Sequence, residues 1–449
     1  MNFPITVVFL IIIVAQPFFQ VCLAKDHYSS ILSMRERAVI IDQVTEERVK
    51  SLLPQLMQRS KIDMWLMISR EYNEDPILKT FLPATWVSAR RTTILTAILT
   101  PSGTVKTFAI APYKVGNVFE RAWDKKKQPN QWQALVELME QYQPKQIGIN
   151  QSKTWAHADG LVATDQQNLM AALPEKFKSR LVSSEPLAIN WLEIRTPKEV
   201  ELMKNMTAIA HQIIAEGFSS KVVKPGITTT EDVVWWFREK VRELKLTTWF
   251  HPSVSIQRND KVKFDHEDSF TNGYGDNVIR EGDLLHVDFG ITYLRLNTDT
   301  QQHAYVLKKG ETKAPAYLEK ALAKGNQLQD IFTNNFMVGR TGNEVLKMSR
   351  EQAIEQGLKP SIYTHPLGYH GHAAGTTLGM WDSQGGVPGS GDYPLHLNTA
   401  YSIELNNAIE IEAWGKEIRI MLEEDAFFDD SGVWYLDGRQ EDLLLIVKG

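Results

Sequence analysis

The stretch LLHVDFGITYLRLNTDTQQHAYVL, residues 284–307, predicts a β-hairpin that carries two aspartates, Asp288 and Asp299. LLHVDFG has the composition of a buried strand and TQQHAYVL that of a partly exposed one, with a polar turn region between them. Ten residues separate the aspartates. Antiparallel pairing then predicts that they face each other, with Cβ atoms roughly 5 Å apart. Carboxylates that close repel unless they share a proton or hold a cation. The alternative is that one aspartate caps the turn and the other is solvated.

The overall composition is that of an ordinary globular protein. The chain has 449 residues, of which 43% are hydrophobic and 23% are charged, which is enough for two domains. Its formal net charge of -5 shows no basic excess. We therefore expect neither nucleic acid nor an anionic membrane surface as a partner.

The first 24 residues have the pattern of a cleaved secretory signal. An apolar run from Ile5 to Ala15 is followed by a small-residue site that ends at Ala24. This predicts a secreted or periplasmic protein. No Lys or Arg precedes the run, so an uncleaved membrane anchor is the alternative. Cys22 is the only cysteine, so the mature chain would have no disulfide, catalytic thiol or zinc-thiolate site.

Residues 25–190 predict a smaller α/β domain. Short buried strands such as DMWLMI and KQIGIN alternate with helical stretches such as WQALVELMEQY, which indicates a mixed sheet covered by helices. Chemistry-bearing residues are not concentrated here. We therefore interpret this segment as a domain that covers the site and excludes other substrates.

Residues 191–449 repeat a pattern. KPGITTTEDVVWWFREKVREL, from Lys224, matches VGRTGNEVLKMSREQAIEQGL, from Val338, with Glu231 and Glu344 in equivalent places 113 residues apart. An apolar stretch with carboxylates follows each match. The repeat predicts two helix-plus-hairpin units that face each other across a pseudo-twofold axis.

The two units would bring four carboxylates to one point. These are Asp288 and Asp299 in the first unit, with Glu404 in SIEL and Glu423 in IRIMLEED in the second. Histidines precede them in both units: His266 in the first, and His365, His370 and His372 in the second. Buried carboxylates are costly unless they are paired or bound to metal. Oxygen-rich ligation with one imidazole suits a two-metal site that acidifies a shared water for attack on a carbonyl.

These motifs resemble the superfamily of methionine aminopeptidase, aminopeptidase P, prolidase and creatinase. The resemblance rests on the spacing of Asp288 and Asp299, on GHAAG at His372, on SIEL at Glu404 and on the acidic run at Glu423. It implies an α+β architecture in which a pita-bread catalytic domain with an internal pseudo-twofold repeat, 191–449, follows a creatinase-like α/β domain, 25–190. The branch it implies is that of Xaa-Pro aminopeptidase and prolidase.

The resemblance also implies roles for single residues. The metal ligands would be Asp288, Asp299, His372, Glu404 and Glu423. They would hold two divalent ions, for which we expect Mn²⁺ ahead of Co²⁺, Zn²⁺ or Fe²⁺. Glu404 would also shuttle a proton to the leaving nitrogen, while His266 would steady the tetrahedral intermediate.

One departure from the family concerns its second, substrate-contacting histidine. Trp381 stands nine residues after His372, where the family has that histidine. His370 or His365 would have to substitute, and we assign His370 to catalysis. His370 also competes with His372 for the metal, because HPLGYH resembles the family's HGLGH if Tyr369 is an insertion.

The function implied is that of a secreted dinuclear-metal exopeptidase. It would hydrolyse Xaa-Pro bonds in peptides or dipeptides through a metal-bridging hydroxide, with a short peptide whose second residue is proline as substrate. A dimer is expected from the relatives. Two alternatives stay open: a creatinase-like hydrolase of a small C–N substrate, and a non-catalytic binding protein, which Trp381 favours.

Overall fold

The computed structural model of the chain describes residues 26–262 and 277–447. The predicted signal, 1–24, and His266 lie outside the described residues, so the predictions made for them stay predictions. Within the described ranges, no helix has both the length and the apolar character that crossing a membrane requires.

The helices alternate with strands in the first part of the chain and come in pairs in the second. In order they are α1 (Met34–Glu47), α2 (Leu53–Arg59), α3 (Pro76–Phe81), α4 (Gln131–Tyr142), α5 (Ala163–Ala172), α6 (Glu175–Lys178), α7 (Glu185–Glu193), α8 (Pro197–Gly217), α9 (Thr230–Glu243), α10 (Ala316–Thr333) and α11 (Gly342–Glu355). A capping box begins α8, since Thr196 and Glu199 bond each other's backbone amides.

The first sheet is mixed, as predicted. Its strands are β1 (Met64–Arg70), β2 (Thr92–Leu99), β3 (Val105–Ala109), β4 (Glu120–Arg121), β5 (Ile147–Ile149) and β6 (Leu181–Ser183). They form a six-stranded sheet in the order β4-β3-β2-β1-β5-β6. The pairs β1–β2 and β2–β3 are antiparallel, whereas β1–β5, β5–β6 and β3–β4 are parallel.

In the described part of the chain, the second sheet has nine strands, and it carries the acidic residues. The remaining strands are β7 (Ser253–Gln257), β8 (Leu284–Phe289), β9 (Thr292–Tyr293), β10 (Leu296–Asn297), β11 (Thr300–Val306), β12 (Pro360–Ile362), β13 (His365–Leu367), β14 (Thr399–Ile411), β15 (Lys416–Asp429), β16 (Gly432–Tyr435) and β17 (Leu444–Ile446). The main order is β12-β14-β15-β11-β8-β7, with β13 on β14, β16 on β15 and β17 on β11. Strands β9 and β10 form a separate two-stranded ladder, and Thr292 of β9 also forms an antiparallel bridge with Thr247.

The hairpin predicted over 284–307 is present, but in a different register. β8 and β11 pair antiparallel, and β9 and β10 continue that register to a turn at Leu294 and Arg295. Asp288 therefore lies opposite Gln301, and the prediction that it lies opposite Asp299 was wrong. The cause is the turn, whose two residues have φ of 53° and 68°. Asn-Gly would signal such a turn, and Leu-Arg does not.

The predicted repeat is confirmed in the order of the elements. Helices α8 and α9 precede the β8–β11 hairpin, and α10 and α11 precede the β14–β15 hairpin. The equivalence is shifted by one residue from the prediction. Thr229 forms a capping box with Asp232, and Thr341 forms one with Glu344. Asp232, and not Glu231, thus corresponds to Glu344, because the run of three threonines left the position of the cap ambiguous.

Each pair of helices covers one face of the second sheet and leaves the other face for polar groups. On β8, Val287 and Phe289 pack into the apolar core with α8 and α9. Asp288 stands between them and points to the opposite face, where it lines a pocket. Glu404 alternates with core residues of β14 in the same way. The period-two alternation of the strands thus places the acidic groups on one surface.

A partly buried histidine, His211, links α8 to the second sheet. His211 Nε2 lies 2.7 Å from Glu424 Oε2, and its Nδ1 lies 2.9 Å from Asp437 Oδ2. Burial alone would lower the pKa of His211, but the two carboxylates outweigh burial and raise it to about 10. The protonated imidazole therefore stabilises the fold fully below its ordinary pKa of 6.5. This contribution is lost as the pH rises through about 10.

The pH dependence of stability tests this pairing. We expect His211→Gln to lower the free energy of unfolding at pH 6 by on the order of 2 kcal/mol, because it leaves Glu424 buried without its cation. The difference from the wild type should shrink as the pH approaches 10. Urea unfolding of both proteins at pH 6, 8 and 10 measures it. A difference that stays constant with pH would show that the histidine contributes by packing alone.

Candidate metal centre

Four side chains form one row across adjacent strands of the second sheet. Asp288 on β8 lies opposite Gln301 on β11, Gln301 lies opposite Glu423 on β15, and Glu423 lies opposite Glu404 on β14. Asp299 precedes Gln301 by two residues and lines the same pocket. The four predicted carboxylates therefore do converge. The register places an amide in the middle of their row.

His365 joins the carboxylates from β13. It pairs with Ser402, two residues before Glu404 on β14. Its Nε2 lies 3.6 Å from Asp299 Oδ2 and 3.8 Å from Glu423 Oε1.

Among the described residues, three overlapping sets of side chains could each hold an ion, since the ligand atoms of each set lie within 4.8 Å of one another. The sets are Asp288, Asp299 and Glu423; His365, Glu404 and Glu423; and Asp299, His365 and His372. Glu423 belongs to the first two sets.

The carboxylates are crowded enough to shift their pKa values upward. Burial, and after it the neighbouring carboxylates, raises the pKa values of Asp299, Glu404 and Glu423 well above their ordinary values. Burial also raises the pKa of Asp288 to about 7. Ionised, these groups destabilise one another, so a divalent cation among them would relieve the repulsion.

The residues present fit a divalent ion. Three buried atoms in the cluster have no hydrogen-bond partner among the described residues: Asp288 Oδ1, Asp299 Oδ1 and His365 Nε2. Unsatisfied buried polar atoms are costly, and these three belong to the sets that could hold an ion. Carboxylate oxygens with an imidazole nitrogen suit Mn²⁺, Co²⁺, Fe²⁺ or Zn²⁺.

The geometry favours His365 over His372 as the imidazole ligand. His365 Nδ1 lies 3.1 Å from the carbonyl oxygen of Pro366, a contact that places the proton on Nδ1 and leaves the Nε2 lone pair toward the carboxylates. Burial lowers the pKa of His365 to about 3, so the ring is neutral. His372 is more exposed, and its Nε2 lies 3.3 Å from the Tyr363 hydroxyl. The ligand role assigned to His372 from sequence stays a prediction.

Substitution of the two histidines separates their roles. We expect His365→Ala to weaken Mn²⁺ binding by more than roughly 100-fold, because even the loss of an outer-shell partner costs about 10- to 100-fold. His372→Ala should keep the ion and lower kcat/KM. Equilibrium dialysis against Mn²⁺ measures the first effect and peptide hydrolysis the second. Loss of the ion from His372→Ala, with the ion kept in His365→Ala, would reverse the assignment.

His370 lies apart from the cluster. Its ring centroid is 4.5 Å from that of His157. In the described part of the chain it belongs to none of the sets that could hold an ion and does not line the pocket. The catalytic role assigned to it therefore gains no support from the geometry and stays a prediction.

The four carboxylates and His372 line a cavity of about 370 Å³. Aromatic residues wall it, namely Trp249, Phe250, Tyr363 and Trp381. The sequence did not lead us to predict three residues that line the pocket, Gln301, Trp249 and Tyr363. The position of Gln301 two residues after Asp299 on a strand was a signal for it, because such residues share a face. No feature of the sequence indicated that Trp249 or Tyr363 lines the pocket.

The sequence model of Metallopeptidase family M24 matches residues 201–426, half of the chain. The chain belongs to metallopeptidase family M24. The match spans all the acidic and histidine residues of the cluster, so this M24 chain carries the cluster within the segment that defines its family. The superfamily predicted from the motifs is confirmed. No curated protein matches the chain in sequence.

Solved structures share the fold of this M24 chain. The X-Pro aminopeptidase from Thermotoga maritima aligns with a TM-score of 0.61 at 15% identity, covering 88% of this chain and 99% of that one. The Xaa-Pro dipeptidase from Bacillus anthracis gives 0.56 at 15% identity, covering 92% and 100%. Zinc-substituted Escherichia coli aminopeptidase P in complex with product gives 0.56 at 13% identity, covering 91% and 97%. These likenesses confirm the predicted pita-bread fold with its preceding domain.

Proposed function

We propose that this M24 protein is a metal-dependent exopeptidase that hydrolyses the Xaa-Pro bond of short peptides or dipeptides. The observation that carries the proposal is the group of four carboxylates that lines an aromatic-walled pocket, with His365 Nε2 lying 3.6 Å from Asp299. A pocket of this size takes a small ligand and buries most of it. The peptidase family to which the chain belongs supports a hydrolytic reaction on peptides.

The residues divide the chemistry as follows. Asp288, Asp299 and Glu423 would hold one ion, and His365, Glu404 and Glu423 the other, with Mn²⁺ as our first expectation. When bound, such ions acidify a water and polarise the scissile carbonyl. Glu404 lines the pocket and takes the proton from the attacking water to the leaving nitrogen.

The aromatic walls orient the substrate and exclude water. His372 lies beside Trp249 and Tyr363, with ring centroids 5.1 and 5.8 Å away. It is therefore placed to donate a hydrogen bond to a substrate bound between those rings. The preference for proline is supported by the names of the structural neighbours, an X-Pro aminopeptidase and an Xaa-Pro dipeptidase.

We further propose that the protein is secreted or periplasmic and dimeric. Secretion rests on the signal pattern of residues 1–24, and the dimer on the resemblance to the family. Amino-terminal sequencing of the mature protein should begin at Lys25. Analytical sedimentation should give twice the mass of one chain. A monomer would contradict the dimer but not the peptidase proposal.

Peptide hydrolysis tests the activity. Metal-stripped protein is supplied with Mn²⁺ and offered Ala-Pro, Ala-Pro-Ala and Ala-Ala-Ala. We expect Mn²⁺-dependent cleavage of the proline peptides and little of the third. Cleavage of Ala-Pro alone indicates a dipeptidase, whereas release of alanine from the tripeptide indicates an aminopeptidase. Hydrolysis of creatine instead would support the creatinase-like alternative, and the lack of any hydrolysis or metal binding would support the binding protein.

A further inference from the structure

The acidic row lies between two ends of the pocket. On one side of the row, Trp249 Nε1 donates to the carbonyl oxygen of Thr298, the residue before Asp299, and the His372 ring lies 5.1 Å from the Trp249 ring. On the other side, the strands continue to residues two positions away that also line the pocket. These are Ser255, His286, Met421, Asn406 and Ser361. One end is therefore aromatic, and the other is mostly polar.

A bound dipeptide would span both ends. Under the proposed function the scissile carbonyl lies over the carboxylates, so the two residues of the substrate extend to opposite sides of the row. The proline ring is apolar and has no N–H, which suits the aromatic end. The residue before proline then extends over the polar end, where its side chain meets Asn406.

Arg419 stands directly behind the polar end. Residues 419, 421 and 423 share one face of β15, and Met421 and Glu423 line the pocket. Arg419 Nη1 donates to Asn406 Oδ1 at 3.0 Å, so the amide nitrogen of Asn406 is left to donate to a ligand. Among the described residues that line the pocket there is no Lys or Arg. Arg419 therefore brings a positive charge to this end.

The guanidinium group of Arg419 can take a further acceptor. Its Nη2 lies 4.0 Å from Glu417 Oε1, which is too far for a hydrogen bond, and Glu417 is bonded to Lys359 Nζ at 2.6 Å. The Arg419 side chain is 34% exposed. A carboxylate at the polar end would accept hydrogen bonds from Arg419 and Asn406 together, and the charge of the arginine would strengthen them.

The spacing suits a glutamate side chain. Arg419 lies four residues from Glu423, which is roughly 13 Å along a strand. Its guanidinium group leans toward the acidic row, because residue 419 pairs with Ala408, whereas its bond partner Asn406 pairs with Met421, closer to the row. A long side chain on the substrate closes the remaining distance.

We propose that Arg419, together with Asn406, recognises an acidic side chain on the residue before the scissile bond, so that the protein prefers Glu-Pro to neutral Xaa-Pro substrates. This inference rests on the proposed function, because it names the substrate class of the same site. The divalent ions that the four carboxylates would hold offset their charge, so the acidic row does not repel such a substrate.

Competition between isosteric dipeptides tests the proposal. The full chain with Mn²⁺ is offered Glu-Pro and Gln-Pro, which have the same shape and differ in charge. The ratio of their kcat/KM values isolates the charge, because a general change in activity affects both substrates alike. We expect the wild type to prefer Glu-Pro by roughly 10-fold, the equivalent of one charge-assisted hydrogen bond at a partly exposed arginine.

Variants of Arg419 should change this preference. Arg419→Gln should remove it, and Arg419→Glu should make the protein prefer Lys-Pro. Both variants should fold, because Gln257 holds residue 419 through its backbone N–H and carbonyl, each at 2.7 Å. Arg121→Gln is the matched control, since Arg121 is a half-exposed arginine on β4 of the first sheet, and it should keep the wild-type ratio.

Binding of the amino-acid product gives a readout that needs no turnover. Calorimetry with glutamate and with glutamine on the protein with Mn²⁺ should show tighter binding of glutamate, and Arg419→Gln should remove the difference.

The outcomes separate this inference from the proposed function. Equal kcat/KM values for Glu-Pro and Gln-Pro in the wild type, or a preference that Arg419→Gln leaves in place, would overturn the recognition of an acidic residue while leaving a peptidase intact. Failure of the wild type to hydrolyse any Xaa-Pro dipeptide, with glutamate still bound more tightly than glutamine, would contradict the proposed function alone.

Discussion

Asp299→Asn should abolish peptide hydrolysis. The side chain belongs to two of the sets that could hold an ion, and its Oδ1 is buried without a partner among the described residues. Replacing one carboxylate oxygen by an amide removes a ligand and a charge. Metal ions supply several kcal/mol of transition-state stabilisation, so we expect a loss of roughly 1,000-fold or more in kcat/KM. The rate of Ala-Pro hydrolysis at saturating Mn²⁺ measures it.

The same change should not unfold the protein. Burial and the neighbouring carboxylates raise the pKa of Asp299, so removing its charge relieves repulsion in the metal-free fold. We therefore expect the metal-free variant to be at least as stable as the wild type. Asp430→Asn, the same substitution on the exposed β15–β16 turn, is the matched control and should keep full activity. Hydrolysis by Asp299→Asn at near the wild-type rate would show that this cluster does not take part in the reaction.

Glu199→Gln should give the largest loss of stability. Glu199 is fully buried at the start of α8, with its carboxylate 2.5 Å from Arg48 and 2.8 Å from Arg195. Burial alone would raise its pKa, but the two arginines outweigh it and hold the pKa below the ordinary value. Glutamine would leave two buried guanidinium groups without their counter-ion. Breaking a buried pair in this way costs about 3–5 kcal/mol.

The midpoint and slope of urea unfolding measure this loss. Glu201→Gln is the control, because Glu201 lies on the same helix but is exposed and pairs with the exposed Lys204. Its change should stay within about 0.5 kcal/mol. Arg48 precedes α2, so its ion pair with Glu199 links the part of the chain that carries the first sheet to α8. A cost for Glu199→Gln no larger than that for Glu201→Gln would show that this link contributes little.

The sequence was sufficient for the architecture and for the identities of the acidic residues. The apolar composition around Asp288 and Glu404 placed them on strands, and the match between the stretches from Lys224 and Val338 marked α9 and α11. These signals are local. They depend on residues close together in the sequence, so the sequence alone is enough to identify the helix or strand they belong to.

What the sequence could not give was the pairing between distant strands. Three histidines lie within residues 365–372, and only the pairing of β13 with β14 brings His365 to the carboxylates. Likewise, the row through Gln301 depends on a turn at Leu294 and Arg295 that lacks a turn signature. Arg295 donates to the carbonyl oxygens of Leu82 and Pro83, a long-range contact that holds the turn and is invisible in the local sequence.

The most direct measurement of the central claim is anomalous diffraction at the manganese edge from crystals grown with Mn²⁺. We predict peaks between Asp288, Asp299 and Glu423 and between His365, Glu404 and Glu423. Peaks elsewhere on the molecule, with these side chains free of metal, would contradict it.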